Sequence, residues 1–108
     1  MDTAITQAIA RFRAALGELG IHTDTVVVFG SHARGTPTEH SDIDVAVVSD
    51  DFEGMNLFQR LEVIGLALGR ARIVEPIEAL GYTRQEYEAT QPGTFLGDEI
   101  KSKGVQVP

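Results

Sequence analysis

Two aspartates separated by a single residue, Asp42 and Asp44, stand in an otherwise apolar stretch of the chain. Residues two apart in a strand face the same side, with Cα atoms about 6.6 Å apart. Two ionised carboxylates about 5 Å apart repel by roughly 3 kcal/mol at an effective dielectric constant of 20. A bound Mg²⁺ would offset that repulsion, since it binds carboxylate oxygens together with substrate phosphates. Two carboxylates at this spacing can also bind a pair of such ions. The pair therefore predicts a magnesium site, with a solvated strand face as the plainer alternative.

A glycine-serine turn precedes the aspartates. Gly30 and Ser31 follow a β-branched run and come before a predicted helix start. Backbone N–H groups and a hydroxyl at such a turn can hold a phosphate. An ordinary strand-to-helix turn with Ser31 as the helix cap is the alternative. Other phosphate and nucleophile motifs are excluded, because Thr36-Pro37 stands where a P-loop needs Lys-Ser/Thr, and no G-x-G-x-x-G or G-x-S-x-G is present.

Helical periodicity marks the segments that would flank these residues. Apolar residues recur at helical spacing over 3–19 and about 56–69, and Gly65 within the second segment indicates a close packing contact. A capping box at 83–86 opens a short helix, and a last helix is predicted at about 94–103. The residues expected to face the core are Ile5, Ile9, Phe12, Leu16, Leu19, Leu57, Leu61, Ile64, Leu68, Phe95, Leu96 and Ile100.

Strand periodicity predicts the sheet that would carry the aspartates. Strands are expected at 25–29, 42–49 and 72–80, with a brief terminal strand at 105–107. Pro76 lacks an N–H donor, so the third strand should lie at a sheet edge or begin properly after the proline. The expected fold class is α/β (α+β), a small mixed β-sheet of three or four strands with helices packed on it.

Composition excludes several classes of protein. The chain has 108 residues, a net charge of −7 and no cysteine. Its length predicts one domain over 1–108, and the lack of cysteine excludes a disulfide scaffold or thiolate zinc site. No apolar run approaches the ~18 residues of a membrane span and no basic signal-peptide start is present, so we expect a cytoplasmic protein. The negative net charge argues against a surface that binds the nucleic-acid backbone by electrostatic attraction alone. His22, His32 and His40 lack metal-ligand spacing.

The segment from Gly30 to Asp44 resembles a known signature. A Gly-Ser pair, ten residues and then Asp42-x-Asp44 is similar to the GSx10DxD signature of the DNA polymerase β-like nucleotidyltransferase superfamily. The Ala-Arg-Gly after His32 matches the common GSxARG form. Within the superfamily the chain looks like the minimal nucleotidyltransferases (MNT) of bacteria and archaea. The resemblance implies the nucleotidyltransferase fold over the whole chain.

The resemblance also implies roles for the matching residues. Gly30 and Ser31 would contact the triphosphate of a nucleotide, with Arg34 as a weaker phosphate contact. Asp42 and Asp44 would bind Mg²⁺, two ions in all. ATP would be the substrate.

A third carboxylate on a later strand usually completes such sites, as a metal ligand or as the base toward the acceptor hydroxyl. Glu78 and Glu75 are the candidates in this chain. We prefer Glu78, because Ile77 to Thr83 looks like the strand and exit turn that would hold it. The alternative is that Glu78 is a solvated glutamate of an edge strand.

The function implied by the resemblance is transfer of a nucleoside monophosphate, AMP from ATP, to a hydroxyl acceptor. Minimal nucleotidyltransferases commonly pair with a HEPN-type helical protein in toxin–antitoxin modules and add AMP to the toxin. The chain would then be a protein adenylyltransferase and an antitoxin. Two alternatives stay open: a non-catalytic module that neutralises a partner by complex formation, and transfer to a small-molecule acceptor.

Overall fold

The computed structural model describes residues 2–38 and 40–107. In chain order its elements are α1 (Thr3–Glu18), β1 (Thr25–Phe29), α2 (Ser31–Arg34), β2 (Ile43–Val48), a 3-10 turn (Asp50–Phe52), α3 (Leu57–Arg70), β3 (Ile77–Tyr82), α4 (Arg84–Glu88), a π-helix (Leu96–Lys101) and β4 (Val105–Val107). No helix among these residues combines the length and apolarity needed to cross a membrane.

The four strands form one mixed sheet in the order β3-β2-β1-β4. β1 is antiparallel to both of its neighbours, whereas β3 runs parallel to β2. The predicted fold class, α/β with a small mixed sheet of three or four strands, is therefore confirmed, with four strands. β3 lies at the sheet edge and begins at Ile77, after Pro76, so both expectations for the proline are confirmed and residues 72–76 are not part of the strand.

Apolar clusters cover both faces of the sheet. On one face α1 and α3 pack on alternate residues of the strands, including Val45 and Val47 of β2. On the other face Ile100 of the π-helix packs on Val27 and Ala46. The period-2 alternation of β1 and β2 is what lets each strand serve both clusters.

Side-chain caps start α1 and α4. Asp2 caps α1 by accepting a hydrogen bond from the N–H of Ala4 at 2.8 Å. Thr83 and Glu86 form the predicted capping box at the start of α4. These local bonds satisfy N–H groups that a helix start leaves unpaired.

Three expectations about packing are wrong. Leu57 and Leu61 of α3 are 60% and 42% exposed, because β3 is the last strand and the sheet covers only the side of α3 that carries Ile64 and Ala67. Gly65 makes no close contact, since a Cβ built on it would have no atom within 4 Å.

The segment predicted as a last α-helix is instead a π-helix, and one of its three inward residues points outward. Phe95 precedes the π-helix, is 56% exposed and packs edge-to-face on Phe29 with ring centroids 5.8 Å apart. Ile100 is fully buried and Leu96 is half-buried, as expected. The i→i+5 bonding of the π-helix changes the angular spacing of its side chains, so a stripe drawn at 3.6-residue spacing does not hold across this segment.

Candidate active site

The register of the sheet aligns two carboxylates on adjacent strands. Asp44 of β2 lies directly beside Glu78 of β3, and on its other side it pairs with Phe29 of β1. Ile43 and Val45 face the opposite cluster, so Asp44 stands on the face of the sheet that carries the π-helix. The parallel pairing of β3 with β2 thus brings together two acidic residues that are distant in sequence.

The turn between β1 and α2 closes on the same carboxylate. Gly30 has φ +73°, a left-handed conformation, and a Cβ built on it would overlap Oδ2 of Asp44. Only glycine avoids both penalties, the strained backbone and the steric overlap. The glycine thus allows the backbone between β1 and α2 to turn directly over the Asp44 side chain.

A polar cavity of about 510 Å³ lies in front of this turn. All six residues predicted as site residues from the sequence line it: Gly30, Ser31, Arg34, Asp42, Asp44 and Glu78. Asp42 directly precedes β2 and is exposed, whereas Asp44 is half-buried. Both carboxylates therefore border the same cavity, although Asp42 lies outside the strand.

The environment of Asp44 disfavours its charged form. Burial and the neighbouring Asp42 carboxylate raise the pKa of Asp44 above its ordinary value, with burial as the larger cause. His32 and Arg34 oppose this rise through their positive potential. An excess of negative charge in a partly desolvated place is a site where a cation or a proton is favoured.

Two polar groups of α2, the Ser31 hydroxyl and the Arg34 guanidinium, line the cavity. The Ser31 hydroxyl makes no hydrogen bond to any residue in the described ranges, and Arg34 is exposed without a salt bridge to any of them. The Nε2 of His32 is buried and unpartnered within the same described ranges.

Glu78 and Glu75 occupy different surroundings. Glu78 is exposed and lines the cavity with Asp44. Glu75 lies before Pro76 and accepts a salt bridge from Arg11 of α1 at 3.2 Å. The structure brings Glu78, and not Glu75, to the pair of aspartates.

Several lining residues have no signal in the sequence. Ser41 borders the cavity from the loop before β2, and Phe95 and Glu99 border it from the π-helix region. Glu99 also forms a salt bridge with Lys103 at 3.3 Å. Their positions depend on how the π-helix packs on the sheet, and a motif spanning residues 30–44 contains no information about that packing.

The acidic residues of the cavity do not form a complete metal site from protein ligands alone. Among residues 2–38 and 40–107, no three His, Asp or Glu side chains converge closely enough to hold a metal ion by themselves. Mg²⁺ in nucleotide sites is typically bound by one or two carboxylates together with substrate phosphates and water. The donor set of Asp42, Asp44 and Glu78 is of that kind, since it supplies only oxygen atoms and lines a cavity of about 510 Å³.

Residues 9–91 match the family model described as the nucleotidyltransferase domain. The chain belongs to this family. The matched segment of the nucleotidyltransferase domain contains every predicted site residue, whereas the π-helix and β4 lie beyond it. No match was found among curated proteins.

Two solved structures resemble this nucleotidyltransferase domain. A candidate nucleotidyltransferase from Sulfolobus solfataricus is 21% identical with a TM-score of 0.58, over 98% of this chain and 86% of the other. A toxin-antitoxin structure determined with AMP-PNP is 18% identical with a TM-score of 0.62, over 95% of this chain and 72% of the other. At such identities the likeness shows the fold.

Proposed function

We propose that this nucleotidyltransferase domain transfers AMP from ATP to a hydroxyl of a partner protein, as a minimal nucleotidyltransferase. The observation that carries the proposal is the single cavity that Ser31, Asp42, Asp44 and Glu78 share inside a domain of this family. One side of the cavity offers hydrogen-bond donors that can bind a phosphate, and the other side offers carboxylates that can bind a cation. That is the pairing of charges which nucleotidyl transfer requires.

The triphosphate would bind at the turn between β1 and α2. Gly30 leaves room for close approach, Ser31 offers a hydroxyl and backbone N–H, and the exposed Arg34 offers a guanidinium. Arginine pairs with phosphate oxygens in a two-point geometry, which fixes orientation as well as charge. These groups would position the nucleotide so that its α-phosphate faces Asp44.

Magnesium fits the acidic side of the cavity. Asp42 and Asp44 would hold Mg²⁺, with Glu78 as a third oxygen ligand or as a base, and the raised pKa of Asp44 marks a place where a cation is favoured. Bound there, Mg²⁺ supplies charge neutralisation for the triphosphate and for the leaving pyrophosphate.

The residues of the chain would handle the proton and the orientation of the reactants. The acceptor hydroxyl loses its proton to an Oε of Glu78 as its oxygen forms a bond with the α-phosphorus. The bond from the α-phosphorus to the bridging oxygen breaks in line with the attack, and pyrophosphate leaves with that electron pair. AMP stays on the acceptor oxygen as a phosphodiester.

The acceptor that we propose is a HEPN-type helical partner in a toxin–antitoxin pair. The solved toxin-antitoxin structure determined with AMP-PNP supports a partner protein and an adenine nucleotide. The HEPN-type identity of the partner rests on the resemblance of the sequence to minimal nucleotidyltransferases. A non-catalytic role, neutralising the partner by complex formation, is favoured by one observation. The N-terminal end of α3 exposes Leu57, Phe58 and Leu61, which are 60%, 80% and 42% exposed, and contiguous exposed apolar surface is typical of protein contacts.

Calorimetric titration of the chain with ATP, with and without Mg²⁺, tests the nucleotide site. We expect Mg²⁺-dependent binding by the wild type and none by the Asp42→Asn/Asp44→Asn double variant, with circular dichroism confirming its fold. A matched control is Glu53→Gln/Glu62→Gln, which removes two charges from exposed residues outside the cavity. The control should bind ATP like the wild type. Absence of ATP binding by the wild type at millimolar concentration would contradict the proposed AMP transfer. The remaining hypothesis would then be neutralisation of the partner by complex formation.

A further inference from the structure

A second groove adjoins the polar cavity and is mainly apolar. It encloses about 470 Å³ and shares Phe29, Asp44, Glu78 and Phe95 with the cavity. Beyond these shared residues it is lined from α3 and from β3. The α3 residues lie on one face of the sheet, and Asp44 and Glu78 lie on the other, so the groove passes around the free edge of β3.

The α3 wall of the groove has a gap at Gly65. Leu61, Ile64 and Leu68 line the groove around this glycine, and a Cβ built on Gly65 would have no atom within 4 Å. The missing side chain leaves space for a group of a ligand. Gly69, one turn further along α3, also has open space around it but does not line the groove.

The edge of β3 adds hydrogen-bonding groups to the same groove. Pro76 accepts a bond from the N–H of Ile43, and Tyr82 accepts one from Ser49, so the even-numbered residues of β3 direct their backbone groups toward β2. Ala79, which lines the groove, therefore directs its N–H and C=O away from β2. Within residues 2–38 and 40–107 neither group has a hydrogen-bond partner.

We propose that this groove is the acceptor subsite, and that the acceptor enters it as an extended polypeptide segment lying along β3. The inference rests on the proposed function. In-line displacement requires the acceptor oxygen and the pyrophosphate on opposite sides of the α-phosphorus. With the pyrophosphate at Ser31 and Arg34, the opposite side of Asp44 and Glu78 is the side on which the groove opens.

The free edge of β3 identifies the chemical class of the acceptor. An extended segment can exchange backbone hydrogen bonds with the N–H and C=O of Ala79, as in β-strand addition to a sheet edge. Neighbouring residues of a strand face opposite sides. A hydroxyl residue that faces Glu78 therefore places the residue next to it over Gly65, where the groove is apolar. The subsite fits a Ser, Thr or Tyr flanked directly by an apolar residue.

A peptide library tests this subsite. The probes are nine-residue peptides with a central Ser, Thr or Tyr and varied flanks, incubated with the chain, Mg²⁺ and ATP labelled at the α-phosphate. We expect labelling to favour an apolar residue directly beside the hydroxyl residue. Gly65→Leu should reduce labelling at least tenfold by filling the groove, while calorimetry finds an unchanged Kd for ATP. Gly69→Leu is the matched control and should leave both quantities unchanged.

The outcomes separate this inference from the proposed function. Labelling by Gly65→Leu at the wild-type rate, with thermal unfolding showing an intact fold, contradicts the subsite. ATP binding by the wild type without labelling of any peptide contradicts a polypeptide acceptor and leaves the nucleotide site standing. Absence of Mg²⁺-dependent ATP binding by the wild type contradicts the proposed function itself, and the subsite with it.

Discussion

Gly30 lies so close to Asp44 that a Cβ on the glycine would overlap the Oδ2 of the aspartate. The same glycine has φ +73°, where other residues are strained. The Gly-Ser turn and the half-buried Asp44 carboxylate are therefore one packed unit. Any group that binds at Ser31 is held next to Asp44.

Gly30→Ala should abolish Mg²⁺-dependent ATP binding and lower the free energy of unfolding by roughly 1–3 kcal/mol, because it combines backbone strain with displacement of Asp44. Gly35→Ala is the matched control. Gly35 has φ +74° at the end of α2 but open space around it, so the control should lose about 1–2 kcal/mol from strain and keep ATP binding. Calorimetry and urea unfolding measure the two effects. Equal ATP binding by both variants would contradict the coupling of Gly30 to Asp44.

Asp44→Asn should stabilise the ligand-free fold at pH 7 while removing ATP binding. The folded-state pKa of Asp44 is raised, chiefly by burial, so the folded state holds the proton more tightly than the unfolded state. Stability is therefore lost as pH rises from about 4 through that raised pKa, and asparagine avoids the loss. Thermal unfolding over a pH series checks this. The advantage of the variant should shrink toward pH 4, and a variant less stable than the wild type at pH 7 contradicts the prediction.

Glu78→Gln should reduce AMP transfer at least a hundredfold, because the base beside the acceptor is lost. ATP affinity should change only a few-fold, since Asp42 and Asp44 remain. Glu75→Gln is the control: it breaks the half-exposed salt bridge with Arg11, at 3.2 Å, and should cost less than 1 kcal/mol of stability with transfer intact. Label transfer to the best peptide acceptor measures both. If Glu75→Gln lost more AMP transfer than Glu78→Gln, Glu75 and not Glu78 would be the third carboxylate.

The sequence was informative where local patterns decide the structure. Four such patterns involve neighbours within a few residues: the β-branched run of β1, the alternation of β2, the helical stripe of α1 and the capping box at Thr83. The structure has the element that each of them predicts. Periodicity and turn chemistry carry this information without any knowledge of the tertiary fold. A shared site for Gly30, Ser31 and Asp44 was implied instead by the resemblance to the family signature, and the structure places all three at one cavity.

Long-range packing could not be inferred from those patterns. The parallel register that sets Glu78 beside Asp44 depends on how the chain crosses from β2 to β3. The apolar stripe of α3 predicted burial of Leu61. That stripe contains no information about the sheet, which ends at β3 and therefore leaves Leu61 uncovered. The error at Gly65 has the same origin. A glycine in a helix suggested close packing, and the structure instead has a groove there.

Glu86→Gln provides a test of the link between α3 and α4, away from the candidate site. Arg60 donates to Glu86 at 2.7 Å and also to the carbonyl of Gly81 at 3.1 Å. The bond from Arg60 is the largest cause of the lowered pKa of Glu86. A lowered folded-state pKa means stability that is present above about pH 4.3 and is lost as pH falls through the lowered value.

Glutamine can keep the capping-box bond to the N–H of Thr83 but not the charge, and Glu86 is partly exposed to solvent. Glu86→Gln should therefore lose only about 0.5 kcal/mol at pH 7, within the range for exposed ion pairs. The difference from the wild type should vanish in acid, below the pKa of Glu86. Urea unfolding at both pH values measures it, with Glu88→Gln on the same helix as the control. A loss that persists unchanged in acid would mean that packing or capping, and not the charge pair with Arg60, accounts for it.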